Sequence, residues 1–232
     1  MTANTLFLRL EGPLQSWGER ARWSVRDTAP EPTKSGVVGL LGCALGINDD
    51  AGLRELSETL RMGVRCDRPG KRLVDYHTVG GGYAESILLT AEGKPKKIPS
   101  NGRPHTEQTW RSYLCDAAFL VAVQGPPDMI ARLAEAVQSP HWPIYLGRKA
   151  CVPTRPPFDG VGEYPDLESA LRVNLAVATR AVIECDPTDG NAVRRHDAVD
   201  SHRHWTFGPR YTCEKILSVP DEKEVVPCTS PD

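Results

Sequence analysis

In TLFLRL (5–10) apolar and polar positions alternate, which sets Leu6, Leu8 and Leu10 on one face of a strand. The segment EGPLQSWGERARWSVRDTAPEPT follows neither the strand nor the helix period and reads as a long loop. PTKSGVVGLLGCALG (32–46) has helical length and is apolar almost all round. A second short helix is expected at roughly 50–60, around Leu53, Leu56 and Leu60, and MGVRC (62–66) reads as a strand. From about 67 to 108 the runs RPGKR, GGGY and EGKPKKIPSNGRP punctuate an excursion from the core, with one apolar run, ESILLT, inside it. SYLCDAAFLVAVQG (112–125) reads as a buried strand. PPDMIARLAEAVQSP then puts Met129, Ile130, Leu133, Ala134 and Val137 on one helix face, with Pro127 and Asp128 as its start signal. WPIYLGRK (142–149) predicts a short strand and turn. The order strand, helix, strand, excursion, strand, helix, strand is that of an α+β, ferredoxin-like βαββαβ domain. VNLAVATRAVIECD (173–186) and HWTFGPRYTCEKI (204–216) add β-rich material.

Gly36, Gly39, Gly42 and Gly46 interrupt the first helix, although each interior glycine costs about 1 kcal/mol relative to alanine. A phosphate-binding P-loop fails on spacing, because Thr33 and not glycine precedes Lys34. The later glycines, Gly39, Gly42 and Gly46, read as a smooth stripe for close packing. Lys34, Ser35 and Gly36 lie at the helix entrance, where free N–H groups and the positive dipole end suit a phosphate.

At 232 residues the chain makes one large domain or two small ones, and its 40% hydrophobic and 25% charged content is ordinary for a globular protein. No apolar stretch approaches the roughly 20 residues of a membrane helix. MTANTLFLRLEG lacks the basic start and cleavage site of a signal peptide. Seven scattered cysteines without a CxxC pair argue against a disulfide framework and a zinc knuckle, and predict a reduced, cytoplasmic setting. The net charge of −2 conceals a polarised distribution. Lys94, Lys96, Lys97, Arg103 and Arg111 face only Glu107, and Arg194, Arg195, Arg203, Arg210 and Lys215 form a second basic stretch. Such runs permit an anionic partner without proving one, and most charge runs are solvated faces.

QSWGERARWSVR (15–26) interleaves Trp17 and Trp23 with Arg20, Arg22 and Arg26, which suits base stacking and phosphate contact in single-stranded RNA. It equally describes a loop pinned by its tryptophans, with cations paired to Glu19 and Asp27. TEQTWRSYLCD (106–116) offers Thr106, Gln108, Thr109, Trp110 and Arg111, or else the polar edge of a strand. Tyr76 and His77 in DYHT, with Lys71 nearby, contain the groups for metal-independent RNA cleavage, though their spacing does not require it. His196, His202 and His204 lack an acidic or cysteine partner at metal-ligand spacing.

Six stretches in order resemble the CasD family of the type I-E CRISPR complex called Cascade, within the RAMP superfamily. They are LRLEGPLQSWG (8–18), PTKSGVVGLLGCALGI (32–47), VRCD (64–67), DYHTV (75–79), HTEQTWRSYLCDAAF (105–119) and PIYLGRKACVP (143–153). The resemblance implies an RRM-like domain over 1–150, with a β-hairpin thumb inserted at about 67–110, and a small β-rich region over 151–232. It implies a non-catalytic subunit, without metal or cofactor, that holds the 5′ handle of the crRNA and caps the backbone filament. The implied neighbours are the filament subunit and the large subunit that reads the PAM, with target DNA reached only through the complex. Gln15, Ser16, Trp17, Lys34, Ser35 and Gly36 would then approach the handle. Tyr76, His77, His105, Trp110 and Arg111 belong to the implied thumb, and Arg148 and Lys149 to the last matching stretch. Relatives of another subtype cleave precursor RNA, which keeps an endoribonuclease as the alternative. An adaptor that binds only protein is the third reading.

Overall fold

The computed structural model describes residues 3–19, 24–81, 87–201, 203–204 and 206–219. It is a mixed α+β structure. The first half runs β1 (Thr5–Glu11), β2 (Leu14–Gln15), β3 (Val25–Arg26), α1 (Lys34–Leu45), α2 (Asp50–Thr59), β4 (Arg61–Arg68) and β5 (Lys71–Gly80). The second runs β6 (Thr106–Cys115), β7 (Ala118–Gln124), α3 (Pro127–Gln138), β8 (Phe158–Gly162), α4 (Leu167–Leu171), β9 (Thr179–Glu184), β10 (Val193–Ser201) and β11 (Thr206–Leu217).

One sheet has the order β10-β11-β9-β4-β7-β1-β8, with neighbours antiparallel. Helices α1 and α2 connect β1 to β4, and α3 lies between β7 and β8. The alternation in β1 divides its side chains as expected. Leu6, Leu8 and Leu10 are fully buried in the core shared with α1, α2 and α3. Phe7 points the other way and joins Leu120, Ala122, Ala181 and Ile183 beneath Leu167, Ala170 and Leu171 of α4. On the sheet face opposite the long helices, α4 thus covers β4, β7 and β9.

Two expected strands are corrected. Residues 142–149 form turns and bends, and the strand beside β1 after α3 is β8. Residues 112–125 are not one strand: Asp116, at φ 56°, turns the chain between β6 and β7, which lie in different sheets. The second sheet centres on β6. The ribbon partner β5 pairs from Lys71↔Cys115 to Gly80↔Thr106, while β2 and β3 occupy the other side of β6.

The glycine stripe of α1 also divides. Among its members Gly42 and Gly46 meet close neighbours. A Cβ on Gly42 would overlap the Leu53 side chain of α2, and Gly46 ends the helix at φ 75°. There its N–H bonds Cys43 O while Ile47 N–H bonds Gly42 O. A Cβ on Gly39 would meet nothing within 4 Å, so close packing does not explain that residue.

The cysteines correct a further expectation. Cys185 and Cys213 are joined by a disulfide between the end of β9 and β11. Spacing hid this pair because the antiparallel β9–β11 register, not sequence proximity, brings the two residues together.

Candidate nucleic-acid interface

The N-terminus of α1, the loop after β2 and the segment 143–149 surround an open cleft of about 500 Å³. Ser16, Gly18, Arg26, Ser35, Gly36, Gly39, Tyr145, Arg148 and Lys149 are among its lining residues. Four separated stretches of the chain are thereby brought to one place. Gly147, at φ 98°, lets the last of them dock: a Cβ there would overlap the Ser16 carbonyl oxygen. Ser16 N–H in turn donates to Leu146 O at 3.0 Å. The Arg148 guanidinium clasps the assembly, donating to Ser112 O at 3.0 Å and Arg26 O at 2.9 Å while lying 4.7 Å from the Tyr113 ring centre. Arg26 and Lys149 are exposed and leave the cleft with cationic edges.

Several candidates have other work. Gln15 is fully buried; its amide donates to Leu10 O and Ala117 O, and its carbonyl accepts from Trp17 Nε1 at 3.0 Å. Trp17 is only 1% exposed, which corrects the expectation that its ring stacks a base. It is a packing anchor instead: its N–H donates to Thr28 Oγ1, its carbonyl accepts from Ala29 N–H, and its ring lies under Gly36. The α1 entrance also differs from expectation. Lys34 is buried, and its ammonium donates to both carboxylate oxygens of Glu184 at 3.1 Å. Its amide donates to Asp197 Oδ2 at 2.8 Å, and Gly36 N–H donates to Thr33 Oγ1 at 3.3 Å. Lys34 is thus a structural cation and not a phosphate ligand; Ser35 and the bare surface of Gly36 and Gly39 remain at the cleft.

The second basic stretch is largely neutralised inside the protein. Arg210 forms a two-point pair with the Asp197 carboxylate, both side chains being buried. Arg195 and Arg180 converge on buried Glu31, and Lys215 pairs with Glu168. Burial lowers the Lys34 pKa despite the opposing Glu184 charge. Burial raises that of Asp197, but the hydrogen bonds and charge of Arg210 and the Lys34 amide outweigh it, holding the carboxyl below its ordinary range.

The β5–β6 ribbon differs in character. Tyr76 and Trp110 are direct cross-strand partners, 51% and 41% exposed, with ring centres 5.5 Å apart. Val25 of β3 continues that row beside Trp110. The opposite face carries Arg111 across from Asp75, and His77 across from Thr109. His77 bonds the Asp75 carboxylate, and Arg111 Nε donates to Thr109 Oγ1 at 3.4 Å. Gln108 is exposed, Thr106 half-buried and Thr109 buried. His105 and Lys96 both reach Glu107, at 3.2 and 2.9 Å. Lys96, then its hydrogen-bonded histidine neighbour, hold that carboxyl below its ordinary range. Lys94, Lys97 and Arg103 have no carboxylate partner among the described residues. Arg20, Arg22 and Trp23 lie outside the described residues.

Sequence reasoning missed Gly39, Tyr145 and Gly147 as parts of the cleft. The glycine in YLGRK was the available signal for a tight approach.

The family model "CRISPR-associated protein (Cas_Cas5)" matches residues 5–212. The chain is 40% identical over 179 residues to the "CRISPR system Cascade subunit CasD" of Escherichia coli (strain K12), covering 72% of this chain and 75% of that protein. A chain of a solved "CRISPR RNA-guided surveillance complex" superimposes with a TM-score of 0.75 at 32% identity, covering 93% of this chain and 90% of that one. A solved "Cas protein" gives a TM-score of 0.67 at 35% identity, with coverage of 92% and 95%.

Proposed function

This chain belongs to the Cas5 family of CRISPR-associated proteins, and from that premise we propose that it is the CasD subunit of a type I-E Cascade complex. It binds the crRNA, holding the 5′ handle and capping one end of the backbone filament. The observation that carries this reading is the cleft where Ser16, Arg26, Ser35, Gly39 and Lys149 meet from distant parts of the chain. Backbone glycines on one wall and exposed cations at the edge suit a nucleotide chain that must lie close to the protein. The β8-β1-β7-β4 order with its connecting helices supports a ferredoxin-like domain, and the β5–β6 ribbon fits an inserted thumb whose second strand runs on from the expected 67–110 to Cys115. Because β8 pairs with β1, that domain reaches past the expected boundary at 150, and β9, β10 and β11 supply the β-rich remainder. The filament subunit and the large PAM-reading subunit are the proposed neighbours, and base pairing by the guide supplies target specificity.

We assign the subunit no catalytic step. Tyr76 and His77 are consecutive in β5, so their side chains leave opposite faces of the strand. His77 is held by Asp75, and Lys71 lies at the far end of the strand, so the three groups do not converge. If the cleft and ribbon engage about five phosphates, log affinity should fall with log salt at a slope of about −3.5, from about −0.7 per contact. Handle-RNA retention by the assembled complex that ignores salt would remove this mechanism. Repeat-RNA cleavage in EDTA that disappears in His77→Phe would establish the endoribonuclease instead.

A further inference from the structure

The end of β9, the turn after it and the middle of β11 form a second site, sharing no residue with the RNA cleft. Cys185 directly follows β9 and its N–H donates to Tyr211 O at 3.0 Å, which sets it diagonally beside Cys213. Their Cα atoms are 5.9 Å apart. The turn Cys185-Asp-Pro-Thr-Asp189 folds back on itself: Asp189 N–H donates to Asp186 O, and Asp186 N–H donates to Asp189 Oδ2 at 3.0 Å. The Asp189 carboxylate is thereby held beside the two sulfurs, and the three prospective ligand atoms all lie within 4.8 Å of one another. They border an open cleft of about 430 Å³ whose rim carries Asp166, Glu168, Asp186 and Glu214 against Arg61 and Lys215.

We propose that Cys185, Cys213 and Asp189 form a redox-gated site for a soft divalent metal ion of the zinc type, closed when the two cysteines are disulfide-bonded. Two thiolates and a carboxylate are a zinc donor set, and bonds of about 2.3 Å to sulfur and about 2.0–2.2 Å to oxygen suit three atoms already this close. Thiolates select zinc over calcium or magnesium, which take oxygen ligands. The open cleft leaves room for water as the fourth ligand, and its acidic rim attracts a cation.

Opening the site is a two-electron reduction. A dithiol reductant gives two electrons and two protons to the Cys185–Cys213 bond and itself becomes a disulfide. The resulting thiols each lose a proton as their sulfurs bond the metal. In either state β9 remains tied to β11, next to Glu184 and its ion pair with Lys34 of α1. The exchange replaces a covalent tie with a metal tie in a compartment where thiols are kept reduced.

The full chain, reduced with a phosphine and then freed of it, is titrated with Co2+ as a coloured probe and afterwards with Zn2+. One equivalent of Co2+ is expected to give sulfur-to-cobalt charge-transfer absorption, which Zn2+ abolishes by displacement. The oxidised wild-type chain should give none. Asp189→Asn, which keeps both cysteines, should weaken Co2+ binding at least tenfold. The Cys185→Ser, Cys213→Ser variant should lose the absorption, with circular dichroism reporting whether it folds. Reduced wild type without charge-transfer absorption overturns the site, as does a folded double-serine variant that keeps it. Undiminished affinity in Asp189→Asn overturns the three-ligand assignment independently of that variant's folding.

Discussion

Replacing Gly39 with alanine should make the free protein more stable, whereas replacing it with glutamine should make the assembled complex a poorer holder of RNA. Gly39 lies inside α1, where glycine costs about 1 kcal/mol relative to alanine. It is exposed in the cleft, and a Cβ built on it meets nothing within 4 Å, so no packing penalty opposes the gain. The expected rise is about 1 kcal/mol, or about 2–4 °C in Tm for a chain of this size. Gly36 provides the contrast. A Cβ there would stand 2.8 Å from Trp17 Cε3, and that ring is held by its Nε1 bond to Gln15 while Thr28 holds the Trp17 backbone N–H. Overpacking of about 1–3 kcal/mol cancels or exceeds the propensity gain at Gly36. Thermal and urea unfolding of Gly39→Ala and Gly36→Ala measure the two signs directly. In Gly39→Gln the side chain occupies the cleft wall, and handle-RNA affinity should fall at least tenfold, about 1.4 kcal/mol. A destabilised Gly39→Ala would refute the open-wall geometry. Unchanged RNA affinity in a folded Gly39→Gln complex would refute the use of the cleft.

Trp110→Ala and Tyr76→Ala should each weaken guide retention by about 1–3 kcal/mol if a base stacks there. Because both rings are exposed, the Tm of the isolated chain should scarcely move. Gly147→Ala combines a positive φ with an overlap onto the Ser16 backbone, so it should cost about 2–5 kcal/mol in denaturant unfolding. Asp197→Ala strands the buried Arg210 charge and uncaps the Lys34 amide, with an expected loss of about 3–5 kcal/mol at neutral pH. The Asp197 pKa is lower folded than unfolded, so the unfolded chain takes up its proton first as pH falls. Its stabilisation is therefore complete above the ordinary aspartate value of about 4 and is lost as pH falls through the lower, folded value. Wild type should consequently lose stability over that acid window more steeply than Asp197→Asn, as measured by urea unfolding at stepped pH.

The elements most legible in the sequence were those whose periodicity one buried face controls. Leu6, Leu8 and Leu10 marked β1, and Ile130, Leu133 and Val137 marked α3. The turn at Asp116 was not legible, because the apolar residues of β6 and β7 run on either side of it without a glycine or proline break. Strand β8 was missed since its FDGVG sequence is short and only half-buried at an edge. The first and last parts of the cleft were legible as motifs, but their meeting was not. Convergence of 16–18 with 143–149 depends on the backbone contact at Gly147, which no local pattern announces. The fates of Trp17 and Lys34 were hidden for the same reason. Their burial depends on Gly36 in one case and on Glu184 and Asp197, some 150 residues away, in the other. Residue type alone made both look like nucleic-acid ligands.

Cryo-electron microscopy of the complex assembled with this subunit and its guide tests the central claim most directly. The expected result is 5′-handle RNA in the cleft bounded by Gly39, Arg26 and Lys149, with the Tyr76–Trp110 row of the ribbon against the same strand. A handle bound to another subunit, with this cleft and ribbon covered by protein, would contradict it.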